Sequence, residues 1–200
     1  ILEFFNIKER SKKNGNFFAL DYIGGLAPER GITQIIQAMS YINSTNAVKL
    51  TLCGEFSPIS YKKEVEGLRG FKRVEYLGWV KPEKVPEVIS MADAGIVCFL
   101  PEPNHINSMP NKLFEYMSAG LPVIASNFPL WKEIVEGNNC GICVDPLNPK
   151  EITKAIKYMI ENPEHRKEMG KKGKKAVLEK YNWENESQKL LKVYEQICPK

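Results

Sequence analysis

Short apolar runs alternate with amphipathic segments along most of this chain. Runs rich in apolar, β-branched or aromatic residues stand at Phe17–Gly24, Val48–Cys53, Val74–Leu77, Gly95–Leu100, Pro122–Ala125 and Gly141–Val144. Most carry apolar residues at both odd and even positions, the pattern of parallel strands covered by helices on both faces. Between them lie segments of helical period. Ile32–Ile42 sets Ile32, Ile35, Ile36 and Met39 on one face, and Lys62–Leu68, Lys84–Met91, a helix opening on Pro110, and Leu130–Val135 follow. Strand–helix alternation predicts an α/β fold, a Rossmann-like parallel sheet of about six strands with right-handed crossovers. Ligands of such sheets bind at the carboxyl ends of the strands. After Val144 the pattern turns wholly helical: Pro149–Glu161, Pro163–Tyr181 and Trp183–Ile197, with prolines in two first turns and Asn182 as a cap.

The segment from Pro110 to Ser126 carries the most chemistry. It reads as a short helix with a proline in its first turn, one acid at Glu115, a stop at Gly120 and a buried strand almost at once. The free N–H groups of a first turn suit a phosphate. Glu115, about one turn on, is placed to accept hydrogen bonds from sugar hydroxyls. A phosphate cradle beside a hydroxyl acceptor suggests a nucleotide-sugar site.

Other strand ends add to it. The first strand runs into Gly24 and Gly25, a turn that permits close approach of a ligand, and Arg30 stands just before the next helix with a fork suited to a diphosphate. The spacing is not that of a dinucleotide fingerprint, so this segment alone is also compatible with an ordinary turn and a solvated arginine. Gly54 ends the second strand, and the backbone around Val80, after the third, is placed to contact a base. The loop 101–109 is long for its position and holds His105, whose default reading is a surface residue. His165 lies on a charged helix and is expected to face solvent.

Composition narrows the picture. Two hundred residues with 43% hydrophobic content suit one domain with a full core. A net charge of +4 is mild; it does not call for nucleic acid but suits an anionic ligand. No apolar run approaches the roughly 18 residues of a membrane span. Ile1 to Arg10 turns charged too early for a cleavable signal, and Ile1–Gly15 resembles an interdomain linker preceding a domain over 16–200. Since Ile1 is not an initiator methionine, the chain is expected to be part of a longer one. The five cysteines, Cys53, Cys98, Cys140, Cys143 and Cys198, are odd in number, and three sit in or beside apolar runs, as for reduced thiols in a cytoplasmic protein. Cys140 and Cys143 have the spacing of a metal or redox pair but no second pair to complete a zinc site, so a small strand is expected there. No Asp-x-Asp pair, no phosphate-binding loop of the Gly-x-x-x-x-Gly-Lys type and no serine elbow occurs. The expectation is no metal and no cofactor. The lysines at 167, 171, 172, 174, 175 and 180 are interleaved with Glu168 and Glu179, which reads as a solvated helix face, with peripheral contact at a membrane's inner face as the sharper option.

The segments Ile23–Gly31, Leu52–Gly54, Tyr76–Val80, Ala92–Ala94, Pro110–Ser126, Glu133–Gly137 and Gly141–Pro146, with Met169-Gly170, Tyr181–Trp183 and Tyr194, occur in the order found in the donor-binding, C-terminal domain of retaining group 1 (family 4) GT-B glycosyltransferases. The chain resembles that family from Phe17 to Ile197. The resemblance implies one half of a two-domain fold that binds a nucleotide-diphosphate sugar and transfers the glycosyl group with retention, without a bound metal, to a saccharide or lipid-linked acceptor held by the N-terminal domain. Polysaccharide assembly is a common use. It implies Arg30 on the diphosphate, helix-start N–H groups at Asn111, Lys112 and Leu113 near phosphate or sugar, and Glu115 on the ribose. Two positions depart from the family pattern. Gly25 replaces a common arginine, and Asn107 replaces the first of a glutamate pair whose second member is Glu115; an amide there can bond a sugar hydroxyl but supplies no negative charge. By this resemblance Glu115 and Asn107 hold the catalytic positions, and Gly24, Gly25, Arg30, Gly54, Val80, Asn111, Lys112, Leu113 and Glu115 the donor site. The chain alone would then bind donor but transfer sugar poorly. Two other readings share these features: a GT-B-fold nucleotide-sugar epimerase, and a degenerate domain that only binds a partner.

Overall fold

A computed structural model describes residues 17–43 and 47–198 of the chain. The expected linker at Ile1–Gly15 lies outside the described residues. Six strands, β1 (Phe18–Ile23), β2 (Val48–Cys53), β3 (Val74–Gly78), β4 (Ala94–Val97), β5 (Val123–Ser126) and β6 (Gly141–Val144), form one sheet in the order β3-β2-β1-β4-β5-β6, every pair parallel. All six match predicted runs to within a few residues. The order reverses direction between β1 and β4, which makes that gap the switch point of the sheet.

The helices are α1 (Ile32–Ser40), α2 (Tyr61–Glu66), α3 (Val85–Ser90), α4 (Pro103–Ile106), α5 (Asn111–Ser118), α6 (Pro129–Val135), α7 (Pro149–Glu161), α8 (Pro163–Glu179) and α9 (Trp183–Ile197). On α1 the predicted stripe of Ile32, Ile35, Ile36 and Met39 is fully buried against the sheet. The start of α7 is fixed by Asn148, whose side chain accepts from the Lys150 N–H at 3.1 Å, with Pro149 in the first turn. Asn182 caps α9 as expected, accepting from the Asn185 N–H at 2.8 Å. Burying those side-chain oxygens against otherwise orphan donors is what stops these helices fraying.

Three local readings are corrected. Pro110 is not inside the first turn of α5: its ψ of 131° is extended, and it stands as the cap before Asn111. Gly120 does end the helix region, at a φ of +72°. The loop 101–109 is partly structured, because Pro103–Ile106 winds into α4. His105 is not a surface residue: it is 3% exposed, its Nδ1–H donates to Leu100 O at 3.1 Å, and its ring packs 4.9 Å from that of Phe99. Trp131, fully buried, donates from its indole to Ser108 O at 2.6 Å and holds the rest of the loop down. His165 is exposed and meets the Tyr158 hydroxyl at 2.7 Å. Cys143 sits in β6 and Cys140 just before it, both as free thiols. No helix among the described residues is long and apolar enough to cross a membrane. Along α9 no residue is buried, and Trp183, Leu190, Tyr194 and Ile197 lie exposed on it.

Candidate active site at the strand ends

The cavity at the switch point has a volume of about 640 Å³. It is lined by Ile23, Gly24, Gly25 and Arg30 after β1, by Val80, Pro82 and Val85 after β3, by Phe99 after β4, and by Pro110, Asn111, Lys112 and Glu115 at the start of α5. Seven of the sequence-selected residues thus converge: Gly24, Gly25, Arg30, Val80, Asn111, Lys112 and Glu115. Three do not line it. Gly54 sits behind the turn, its N–H bonded to Gly78 O at 2.7 Å and its Cα packed against the Gly24 carbonyl. Leu113 is fully buried, and its N–H already donates to Pro110 O at 3.0 Å. Asn107 is exposed, just past the end of α4.

Local folding explains where Arg30 points. Residues Pro28–Arg30 form one turn of 3-10 helix, and the Leu100 N–H donates to Glu29 O at 2.9 Å, tying that turn to the exit of β4. The next residue, Gly31, has φ +71°, and a Cβ there would collide with the Cys98 carbonyl. Only glycine allows this approach. The guanidinium of Arg30 consequently lies over the Phe99 ring, 4.4 Å from its centre.

Lys112 reaches the same ring from α5, its ammonium 4.9 Å from the centre of Phe99 and 4.3 Å from that of Tyr22. Such ring faces attract cations. The Tyr22 hydroxyl accepts from Lys112 Nζ at 3.0 Å and donates to Gly25 O at 3.0 Å. Desolvation, joined by the positive charge of Arg30, pushes the Lys112 amine down to about 7, while Glu115 opposes the shift. Burial raises the Glu115 carboxyl, and Lys112 holds it back. Two basic groups gathered beside one partly buried carboxyl leave the cavity with a surplus of positive charge, which suits an anion. Among the described residues no group of three or more His, Cys, Asp and Glu is placed to hold a metal ion.

Tyr22 and Phe99 are residues at the cavity absent from the sequence expectations. Both lie in apolar runs, Tyr22 in β1 and Phe99 just past β4, and carry no signal distinguishing an aromatic platform from core. Tyr116 is a third. Its hydroxyl donates to Asp21 O and accepts from the Ile23 N–H, each at 3.0 Å, and so fixes α5 to β1 behind the cavity. The room for its ring exists because Gly95 has no side chain.

The chain is similar to proteins already known. The family model described as "Glycosyl transferases group 1" matches residues 3–176. An uncharacterized glycosyltransferase of Methanocaldococcus jannaschii is 28% identical over 174 residues, covering 86% of this chain and 43% of that protein. Sucrose-phosphate synthase from Thermosynechococcus elongatus superposes with a TM-score of 0.79 at 25% identity, over 91% of this chain and 46% of that one. Anabaena HepE, solved in complex with UDP and glucose, superposes at 0.77 with 20% identity, over 90% and 48% of the two chains, and shares the fold. The chain spans less than half the length of each.

Proposed function

As the chain belongs to the group 1 glycosyl transferases, we propose that the switch-point cavity binds the diphosphate of a nucleotide-sugar donor. The observation that carries this reading is the meeting of Arg30 and Lys112 on the Phe99 ring beside Glu115. Arg30 and Lys112 grip the diphosphate, with the open Gly24–Gly25 turn admitting it closely. Glu115 accepts hydrogen bonds from the ribose, and the backbone near Val80 meets the base. The UDP complex of the Anabaena neighbour supports a uridine nucleotide as the first candidate.

The whole protein then transfers a hexosyl group with retention, without a metal, to a saccharide or lipid-linked acceptor held by a second domain. The exposed apolar face of α9 supports packing against further polypeptide. This chain by itself binds donor and transfers poorly. The work is done on the cytoplasmic side, in peripheral contact with a membrane through the lysine-rich α8.

Calorimetric titration with UDP, GDP and ADP, each with and without Mg²⁺, tests the reading. Binding of one nucleotide with equal affinity in both conditions is expected. An absence of binding to all three would favour a domain that only meets a partner, and binding that requires Mg²⁺ would overturn the metal-free part.

A further inference from the structure

Tyr22 stands in β1, just before the Gly24–Gly25 turn, and its side chain is fully buried. A buried phenol needs a partner for its hydroxyl. This one has two, and both are residues that line the cavity: Gly25 O at 3.0 Å and Lys112 Nζ at 3.0 Å. The directions of the two bonds are forced. A carbonyl can only accept, so the single phenol proton goes to Gly25, and the lysine is the donor in the second bond. Burial raises the phenol, so it keeps that proton at neutral pH.

The hydroxyl is what gives Lys112 a direction. Among the described residues it is the one hydrogen-bond partner of the lysine amine. The Tyr22 and Phe99 ring faces attract a cation, and Arg30 and Glu115 act on it through charge, but none of these fixes an N–H along a line. A lysine stem is flexible, and ordering it before a ligand arrives lowers the cost of binding. The same hydroxyl occupies the Gly25 carbonyl, whereas the Gly25 N–H has no partner among the described residues. The turn is thereby left with a spare donor, which suits an anion. Tyr22 does not itself line the cavity, so it acts through the lysine and the turn.

Resting on the reading of this cavity as a diphosphate site, we propose that Tyr22 is a positioning residue whose hydroxyl holds the Lys112 amine against the glycine turn for the diphosphate. Tyr22→Phe keeps the ring and removes the hydroxyl alone. In the free protein, the Lys112 Cε resonance is followed by NMR between about pH 5 and 10. An amine released from Tyr22 can turn to water in the open cavity, so its titration should rise from about 7 towards the ordinary 10.5. An unmoved or lowered titration would show that the lysine stays in place without the hydroxyl and would overturn the proposal. In the wild type the Tyr22 Cζ resonance should itself inflect near 7, where its partner titrates. Absence of that inflection would overturn the proposal even should Tyr22→Phe not fold.

Affinity is read by calorimetry at about pH 6, where Lys112 is mostly charged in both proteins, using whichever of UDP, GDP and ADP the wild type binds. Tyr22→Phe should weaken binding about three- to tenfold, the effect of freeing one long side chain. With Lys112→Met already in place, Tyr22→Phe should cost less than about twofold. Equal losses in the two backgrounds would assign the hydroxyl to the turn alone and refute its action on the lysine. The two readings fail separately. A wild type that binds none of the three nucleotides refutes the diphosphate site, while the Lys112 titration still decides whether Tyr22 places the amine.

Discussion

Lys112 and Tyr22, ninety residues apart in sequence, meet at 3.0 Å between ammonium and phenol oxygen. The contact holds an amine of lowered basicity at the wall of the cavity proposed to take a diphosphate. Because burial and Arg30 bring Lys112 to about 7, the empty site holds a mixture of charged and neutral amine at neutral pH. An arriving anion favours the charged form. Affinity for a nucleotide-diphosphate sugar, whose diphosphate does not titrate in this range, should therefore fall as pH rises from 6 to 8.5, through the value of about 7. Lys112→Met should bind more weakly and lose most of that slope. A slope unchanged in Lys112→Met would remove Lys112 from the diphosphate.

Arg30→Ala should weaken nucleotide binding by roughly 10- to 150-fold, the effect of losing about 1.5–3 kcal/mol of charge-assisted hydrogen bonding. Arg30 touches the rest of the protein through the face of Phe99, so the melting temperature should move little. Calorimetry and a thermal melt on the same sample separate loss of the grip from loss of the fold.

The two glycines of the turn should respond in opposite directions. A Cβ on Gly25 meets open space, and the residue lines the cavity, so Gly25→Arg should add a cation and tighten diphosphate binding by at least about threefold, within the range of one exposed charge contact. Gly24 has φ +126°, and its Cβ would stand 2.6 Å from Lys112 Nζ; Gly24→Ala should displace the lysine and weaken binding. Equal effects of the two substitutions would show that the turn does not face the ligand.

Asp21 gives a stability signature independent of any ligand. Its folded value of about 8 stands above the ordinary 3.8, so between these limits the native state holds a proton that the unfolded state has released. Stability is then full below the lower value and is lost as pH rises towards the upper one. Asp21→Asn should flatten this decline and raise the melting temperature at pH 8 by about 4 °C or more, the equivalent of one or two kcal/mol for a chain of this size. Thermal melts of both proteins at pH 5 and pH 8 read it directly.

The sheet was legible because its signal is periodic: runs such as Val48–Cys53 and the Ile32–Met39 stripe can bury their apolar residues in few other ways. Gly24 and Arg30 after β1 and Glu115 in α5 stood out as glycine or charged residues beside apolar runs, Lys112 only through the family resemblance, and the fold brings all four to one cavity. Phe99 and Tyr22 were not legible, because an aromatic residue in an apolar run looks the same whether its ring meets a lysine or a leucine. His105 was misread for a related reason. Its burial depends on Phe99 and the Leu100 carbonyl, neighbours that α4 brings round, and loop length carries no trace of that turn. Asp21 sat inside a predicted strand, and only the packing of α3 and the sheet leaves it without a partner.

Tyr116 clamps α5 to β1 through hydrogen bonds on either side of Tyr22, while its neighbour Glu115 faces the cavity. Shifting the helix start relative to the glycine turn would break both bonds inside the protein, where nothing replaces them. The wall holding Lys112 and Glu115 and the wall holding Gly24 and Arg30 are thereby coupled as one rigid jaw. Any clamping on a bound nucleotide falls to the opposing segment from Val80 to Val85, whose Pro82–Lys84 turn is exposed and free of that anchor.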